Sequence, residues 1–303
     1  MASLKEIRTR IDSVQSTGQI TTAMRMVSAS KLRKAQQAFS AIQPYSDALS
    51  GISREVQSFL NQQSQACVPD AKDDSFGASC PLESVLLVVF SSNKGLCGPF
   101  NINVVKYTNE LIKTSYQQHL EEGKLHLVTV GKKAGEVLER QGFPLASNYH
   151  DLLNHVNYKD VSSLSKHLFE LFQNGVYQRI ILIYNKFKTI LTQELTARQF
   201  LPILPSSPCE KPQRLPVDFI MEPDKETVLQ WLHPRMLEMA LYRAFLESIA
   251  SEEGARMMAM QQASDNAALL LKELKLSYNK ARQAAITNEL LEIISGAEAL
   301  NNQ

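Results

Sequence analysis

The stretch Ala281–Gln303, ARQAAITNELLEIISGAEALNNQ, decides how this chain is built. Its composition is helical, yet Leu290, Leu291, Ile293, Ile294 and Leu300 crowd its last turns, where a terminus ordinarily frays in water. Read backwards, the same helix extends to HPRMLEM at His233, with Pro234 suited to a first helical turn. No proline follows, Gly254 is the only glycine before Gly296, and Gly296 is expected to stop the helix. Such a helix is roughly 95 Å long at about 1.5 Å per residue. A compact globule of this chain length has a radius of gyration of about 19 Å and a diameter of roughly 50 Å. The helix is therefore expected to protrude from its own protein.

A protruding helix with apolar faces needs a partner, and the first block, residues 1–60, supplies one. Ser3 and Glu6 form a capping box. Leu4, Ile7, Ile11 and Val14 then recur at heptad spacing; Gly18 interrupts the stripe, and Ile20, Met24 and Val27 resume it. Pro44 is expected to kink or end the helix. Residues 61–81 are polar and read as a loop.

From 82 to 222 the period changes. SVLLVVFSS, LHLVTVG, RIILIYNKF and ELTARQFLPIL read as strands. Between them Ile102–Glu121, Lys132–Gln141 and Ser162–Gln173 read as helices, an alternation that argues for an open sheet. Prolines then cluster at Pro202, Pro205, Pro208, Pro212 and Pro216. Residues 223–303 form the second terminal helix and its tip. The expected fold class is α/β: a long antiparallel two-helix coiled coil with an inserted open α/β, Rossmann-like domain. The tip, from about Arg282, should overhang the coil and need a sleeve from another protein.

The chain has 303 residues, 44% of them apolar and 21% charged, with a net charge of +1, which suggests neither a nucleic-acid binder nor an acidic-surface binder. Runs such as Val85–Phe90 are too short to cross a bilayer, and MASLKEIRTRI is no signal peptide. Membrane association is thus expected only through partners. Cys67, Cys80, Cys97 and Cys209 lack metal-ligand spacing. Cys67 and Cys80 flank a polar loop and could pair under oxidation, but free thiols in a reducing compartment are the simpler reading.

VVFSSNKGLCGPFNIN, Val88–Asn103, offers the nearest approach to a catalytic motif. A strand meets a glycine-containing turn, Asn101 is placed to cap the next helix, and such geometry can cradle phosphate. The P-loop and dinucleotide fingerprints are nevertheless both missing. A tight turn packed against a neighbour is the better reading, and neither Cys97 nor Lys94 is assigned a chemical role. No catalytic residue, cofactor or metal is expected.

Arg25, Lys31, Arg33 and Lys34 form a basic run with no acid among them. It fits a collar that meets an acidic partner, and it fits a solvated helix face equally well. Met257, Met258 and Met260 are expected to pack adaptably against Met24 and Met26, with Arg256 and Asp265 facing solvent or a partner. The histidines are scattered without ligand spacing.

EIRTRIDSVQSTGQITTAMRMVSASKLRKAQ, SSNKGLCGPFN and EEGARMMAMQQASDNA with LSYNKARQAAITNELLEIISGAEAL resemble the γ subunit family of F-type ATP synthase, in the same order and spacing. The resemblance implies the rotor of the central stalk, which couples rotation of the membrane c ring to ATP synthesis or hydrolysis at the β subunits. It implies partners in the hexameric α and β ring, the ε subunit and the c ring. Neither nucleic acid nor direct membrane contact is implied. It places Met24, Arg25, Lys31, Arg33, Lys34 and Arg256 near a β loop, and Arg282, Gln283, Thr287 and Glu289 against another. Leu290 and Ile294 would lie in the apolar sleeve. Asn93, Thr22 and Ser264 stand where the family commonly has Asp, Lys and Thr. The cysteine-pair insert of the chloroplast form and a transit peptide are lacking, so the expected location is the cytoplasmic face of a bacterial inner membrane. The competing readings are a coiled-coil adaptor or scaffold without a rotary role, and a nucleotide-dependent enzyme built on the insert.

Overall fold

The structure is a computed structural model and describes residues 4–64, 84–153, 156–189, 192–203, 222 and 225–301. Ser3 of the capping box, Cys67, Cys80, Cys209, His155, most of the 61–81 loop and all of the proline cluster but Pro202 lie outside those residues. In chain order the elements are α1 (Leu4–Ser64), β1 (Val85–Phe90), α2 (Phe100–Ser115), α3 (Gln117–Glu121), β2 (Leu125–Val130) and α4 (Lys132–Arg140). They continue with β3 (Leu145–Asn148), a 3-10 turn (Asp151–Leu153), α5 (Tyr158–Gln173), β4 (Arg179–Phe187), β5 (Gln193–Leu201) and α6 (Lys225–Asn301). The architecture is the expected α/β one, two long terminal helices with an inserted open sheet. The chain divides into two compact units, Met1–Ala29 with Arg256–Gln303, and Ser30–Ala255.

In the second unit the strand order is β3-β2-β1-β4-β5, parallel except for the antiparallel edge strand β5. β1 is fully buried along its whole length, which is why VLLVVF reads as an unbroken apolar run rather than an alternating one. Its side chains still alternate between faces. Leu86, Val88 and Phe90 pack with Leu164 and Leu168 of α5 and with Leu237, Leu241 and Phe245 of α6. Val85, Leu87 and Val89 pack with Val104 and Ile112 of α2 and Leu138 of α4. Phe90 and Phe245 meet edge to face at 4.9 Å, so the lower part of α6 serves as a layer of the sheet domain.

In the first unit the two helices pair antiparallel, with Gly18 against Ala267 and Thr21 against Ser264. The α1 seam residues are Leu4, Ile7, Ile11, Val14, Gly18, Thr21, Arg25 and Ser28, an unbroken alternation of three- and four-residue steps. On α6 the matching stripe is Met260, Ser264, Ala267, Leu271, Leu274, Tyr278, Ala281 and Ala285.

Several expectations need correction. Gly18 does not interrupt the stripe; it belongs to it, because a Cβ there would lie 3.6 Å from Ala267 and the helices meet closely at this point. Ile20 and Val27 do not resume the seam but are 60% and 57% exposed. Met26 is likewise exposed rather than packed on the Met257–Met260 cluster, of which only Met260 is buried. Pro44 lies inside α1 and does not end it. Pro234 also lies inside its helix, which begins at Lys225, and Gly296 does not stop α6, which runs on to Asn301. The expected helix 102–121 is two helices that meet at Tyr116. β3 escaped the reading of the sequence because its four residues, LASN, form an exposed edge with little apolar content.

Candidate functional site: the partner-facing surfaces

The strand-turn Ser91–Gly98 sits where the strand order reverses between β1 and β4, the usual place for a ligand in an open α/β sheet. Here its polar groups are taken up internally. The Lys132 N–H donates to Asn93 Oδ1 at 3.2 Å, the Lys133 N–H to Ser92 O at 3.0 Å and the Ala134 N–H to Ser91 Oγ at 3.1 Å. Those are the free N-terminal donors of α4 that a phosphate would need. Asn101 does not cap α2, whose N-cap is Pro99. Its Oδ1 instead accepts from Ser92 N at 3.1 Å, and its Nδ2 donates to Ser92 Oγ at 2.8 Å. Gly131, at φ 113°, makes this closeness possible, since a Cβ there would stand 2.3 Å from Ser91 O. Asn93 uses both ends of its amide, the Nδ2 donating to His150 O at 2.7 Å. A carboxylate at this position could only accept.

Along the first unit, Met24 and Arg25 are half-buried. Arg25 donates from Nη1 to Gln261 Oε1 across the seam, so its charge is turned inward rather than offered as a collar. Arg256 is 6% exposed, contrary to the expectation that it faces outward. Arg282, Gln283, Thr287 and Glu289 are all exposed, with the Thr287 hydroxyl donating to Gln283 O at 2.9 Å. Gln283, Thr287, Leu290 and Ile294 fall on one helix face at steps of four, three and four. Arg282 and Glu289 share the next face with Ile286 and Ile293. Leu290, Leu291, Ile293 and Ile294 are 55%, 56%, 67% and 55% exposed, and every residue from Ile286 to Ser295 is exposed. The pairing stripe thus ends at Ala285 while the apolar residues continue.

In the second unit, Lys31 pairs with Glu253 at 3.6 Å while its side chain stays 57% exposed, and Arg33 and Lys34 are exposed as well. Sequence reading passed over the buried carboxylates that anchor α6 there. Glu238, 3% exposed, accepts from Tyr158 Oη at 2.6 Å, Ser162 Oγ at 2.8 Å and Arg235 Nη1 at 3.1 Å. Burial pushes the Glu238 carboxyl upward, but these hydrogen bonds and the Arg235 charge outweigh it and hold it below the usual carboxylate range. Burial, and then the bond to Glu238, raise the Tyr158 hydroxyl. Glu247, 2% exposed, accepts from Arg243 Nε at 2.8 Å, and that guanidinium lies 5.3 Å over the Phe39 ring. The available signal was Arg–Glu spacing at three and four residues within apolar helix sequence, at 235/238 and 243/247.

Two long terminal helices, an inserted sheet and an exposed apolar helix end are features of a subunit of a larger assembly. The family model described as ATP synthase matches residues 3–300. The ATP synthase gamma chain of Cytophaga hutchinsonii is 42% identical over 303 residues, spanning 100% of both chains. That of Christiangramia forsetii is 43% identical over 301 residues, 99% of this chain and 100% of the relative. The chain belongs to the ATP synthase gamma chain family, the rotor subunits of that complex. The fold is also that of a chain in the Euglena gracilis mitochondrial ATP synthase, OSCP/F1/c-ring, with TM-score 0.65, 19% identity and coverage of 98% of this chain and 94% of that one. A chain of the Tetrahymena thermophila mitochondrial ATP synthase central stalk and c ring matches with TM-score 0.59 and 23% identity, covering 81% and 99%. Among the described residues no helix is long and apolar enough to cross a membrane.

Proposed function

We propose that this chain is the shaft that couples a proton-driven c ring to the catalytic β subunits, and that it carries no catalytic site of its own. The observation that carries the reading is the α6 tip, where Leu290, Leu291, Ile293 and Ile294 stay more than half exposed beyond the end of the pairing stripe. Such a surface marks a docking site for an apolar partner, which the α and β ring supplies in this proposal. An apolar bearing suits rotation, because directional hydrogen bonds would pin the shaft at one angle. Gln283, Thr287, Arg282 and Glu289 lie below the apolar turns and are the polar contacts to a β loop. Met24, Arg25, Arg256 and Lys31 are assigned to the neck, where Arg33 and Lys34 face acidic β loops. Residues 82–222 form the foot that meets ε and the c ring at the cytoplasmic face of a bacterial inner membrane. The internal consumption of the α4 donors by Ser91–Asn93 supports the absence of a nucleotide site.

The test is affinity purification of the tagged chain from solubilised membranes, with subunits identified and counted. The chain should bring down the α, β, ε and c subunits. Ile294→Asp would bury an unpaired carboxyl in the sleeve, far too costly while charged and still roughly 2–7 kcal/mol once forced to protonate. It should lower the yield of complex sharply while Ile294→Leu does not, with the free chain unchanged in thermal stability. Equal yields for the two variants would show that the tip is not sheathed.

A further inference from the structure

From Gly18 to Ser28 the seam side of α1 carries Gly18, Thr21, Arg25 and Ser28 and no large apolar side chain. In the same stretch Ile20, Met26 and Val27 point outward, 60%, 60% and 57% exposed. Turning this part of α1 by about 100°, the angle of one residue, would bring Ile20, Met24 and Val27 onto the seam. Apolar burial alone favours that turned setting, and it is the one that hydrophobic periodicity selects from the sequence. The apolar seam of Leu4, Ile7, Ile11 and Val14 sets the phase at one end of the helix, and from Gly18 to Ser28 polar contacts are what remains to hold it.

The directional element is a set of polar rungs. The Thr21 and Thr22 hydroxyls donate to Gly18 O at 3.0 and 2.8 Å, so each has spent its proton on α1 itself. The Ser264 hydroxyl, 2.8 Å from Thr21 Oγ1 and 3.4 Å from Thr22 Oγ1, is then the donor across the seam. One turn away, Arg25 donates to Gln261 Oε1, and Gln261 Nε2 is itself anchored on Asp265 at 2.9 and 3.0 Å. A turn of one residue breaks every rung across the seam, leaving the part-buried Ser264 hydroxyl without its acceptor and Gln261 Oε1 without its donor, which is costly. A polar residue at a seam position is a known means of fixing register at some expense in stability.

We propose that Thr21, Thr22, Arg25, Gln261 and Ser264 are positioning residues that lock the rotational setting of α1 on α6. Their value for function rests on the rotor reading: a two-helix shaft transmits angle faithfully only if its helices do not turn on one another.

The test uses the full-length chain with Cys67, Cys80 and Cys209 replaced by Ser. Gly18→Cys with Ala267→Cys reports the observed setting, since a Cβ at Gly18 lies 3.6 Å from the Ala267 Cβ, close to the ~3.8 Å mean of disulfides. Thr17→Cys with Ala267→Cys reports the turned one. Adding Thr21→Ala, Thr22→Ala and Ser264→Ala should raise the turned crosslink about tenfold, the equivalent of about 1.4 kcal/mol. Thr21→Ser with Thr22→Ser, which keep the hydroxyls, should not. In complexes reconstituted into vesicles, this triple-alanine variant should pump fewer protons per ATP hydrolysed while hydrolysis continues. If that variant loses helicity, Ser264→Ala alone is read instead. An unchanged turned crosslink overturns the lock, and a risen crosslink with unchanged pumping per ATP overturns its part in coupling. The crosslink is read on the free chain, so failure of the unaltered chain to assemble would count against the rotor reading alone.

Discussion

Replacing Glu238 by Ala tests whether the buried carboxylate holds α5 and α6 together. The substitution removes the acceptor of Tyr158 Oη and Ser162 Oγ, and Ser162 is only 9% exposed, so its hydroxyl cannot simply turn to water. Arg235, with a side chain 59% exposed, rehydrates and adds little to the loss. Two hydrogen bonds to a charged acceptor, at ~1.5 kcal/mol each, give an expected loss of about 3 kcal/mol. For a unit of this size that lowers the midpoint of thermal unfolding by roughly 6–12 °C, read by calorimetry or circular dichroism near pH 7. Acidification supplies a second reading. Because the folded Glu238 carboxyl is held below its usual value of 4.5, its stabilisation is complete above that value and is lost as pH falls through the folded value. The gap between wild type and Glu238→Ala should therefore narrow as the pH drops below 4.5. A variant that melts within about 2 °C of wild type, under one kcal/mol, or a gap that widens in acid, would refute the assignment.

Three further outcomes are expected. Gly131→Ala forces a Cβ to within 2.3 Å of Ser91 O at a φ of 113°, and should cost at least ~3 kcal/mol, seen as poor yield or a clearly lowered melting temperature of the free chain. Exchanging Arg33 and Lys34 together for Glu reverses an exposed charge across a partly screened gap. Assembly should persist while proton pumping per ATP weakens in vesicles, and an unchanged ratio would remove these residues from the β contact. Lys94→Ala, on the exposed turn after β1, should leave nucleotide affinities of the complex unaltered. Stoichiometric ATP binding by the free chain in equilibrium dialysis, lost in this variant, would revive the enzyme reading.

The sequence alone determined the elements whose signals are long or locally complete. The two terminal helices follow from sustained apolar spacing, and β1 follows from six consecutive apolar residues, short and rich in Val, that suit a strand buried on both faces. The unsheathed tip was legible for the same reason: Leu290 to Ile294 carries more apolar surface than one neighbouring helix could cover. Tertiary structure decided what depends on a second chain segment. Periodicity chose Ile20, Met24 and Val27 for the seam, but hydrogen bonds to Ser264 and Gln261, more than two hundred residues away, turned Thr21 and Arg25 inward instead. Lys31 and Arg25 looked like free collar charges until Glu253 and Gln261 were brought beside them. Pro44, Pro234 and Gly296 are local helix breakers of a few kcal/mol at most, and within long helices they did not end the helix. At the phosphate-like turn the first donors of α4 close onto Ser91, Ser92 and Asn93, a use that the local motif does not reveal. Apolar periodicity is written along the chain, whereas the satisfaction of a polar group depends on which distant residue the fold places within three ångströms of it.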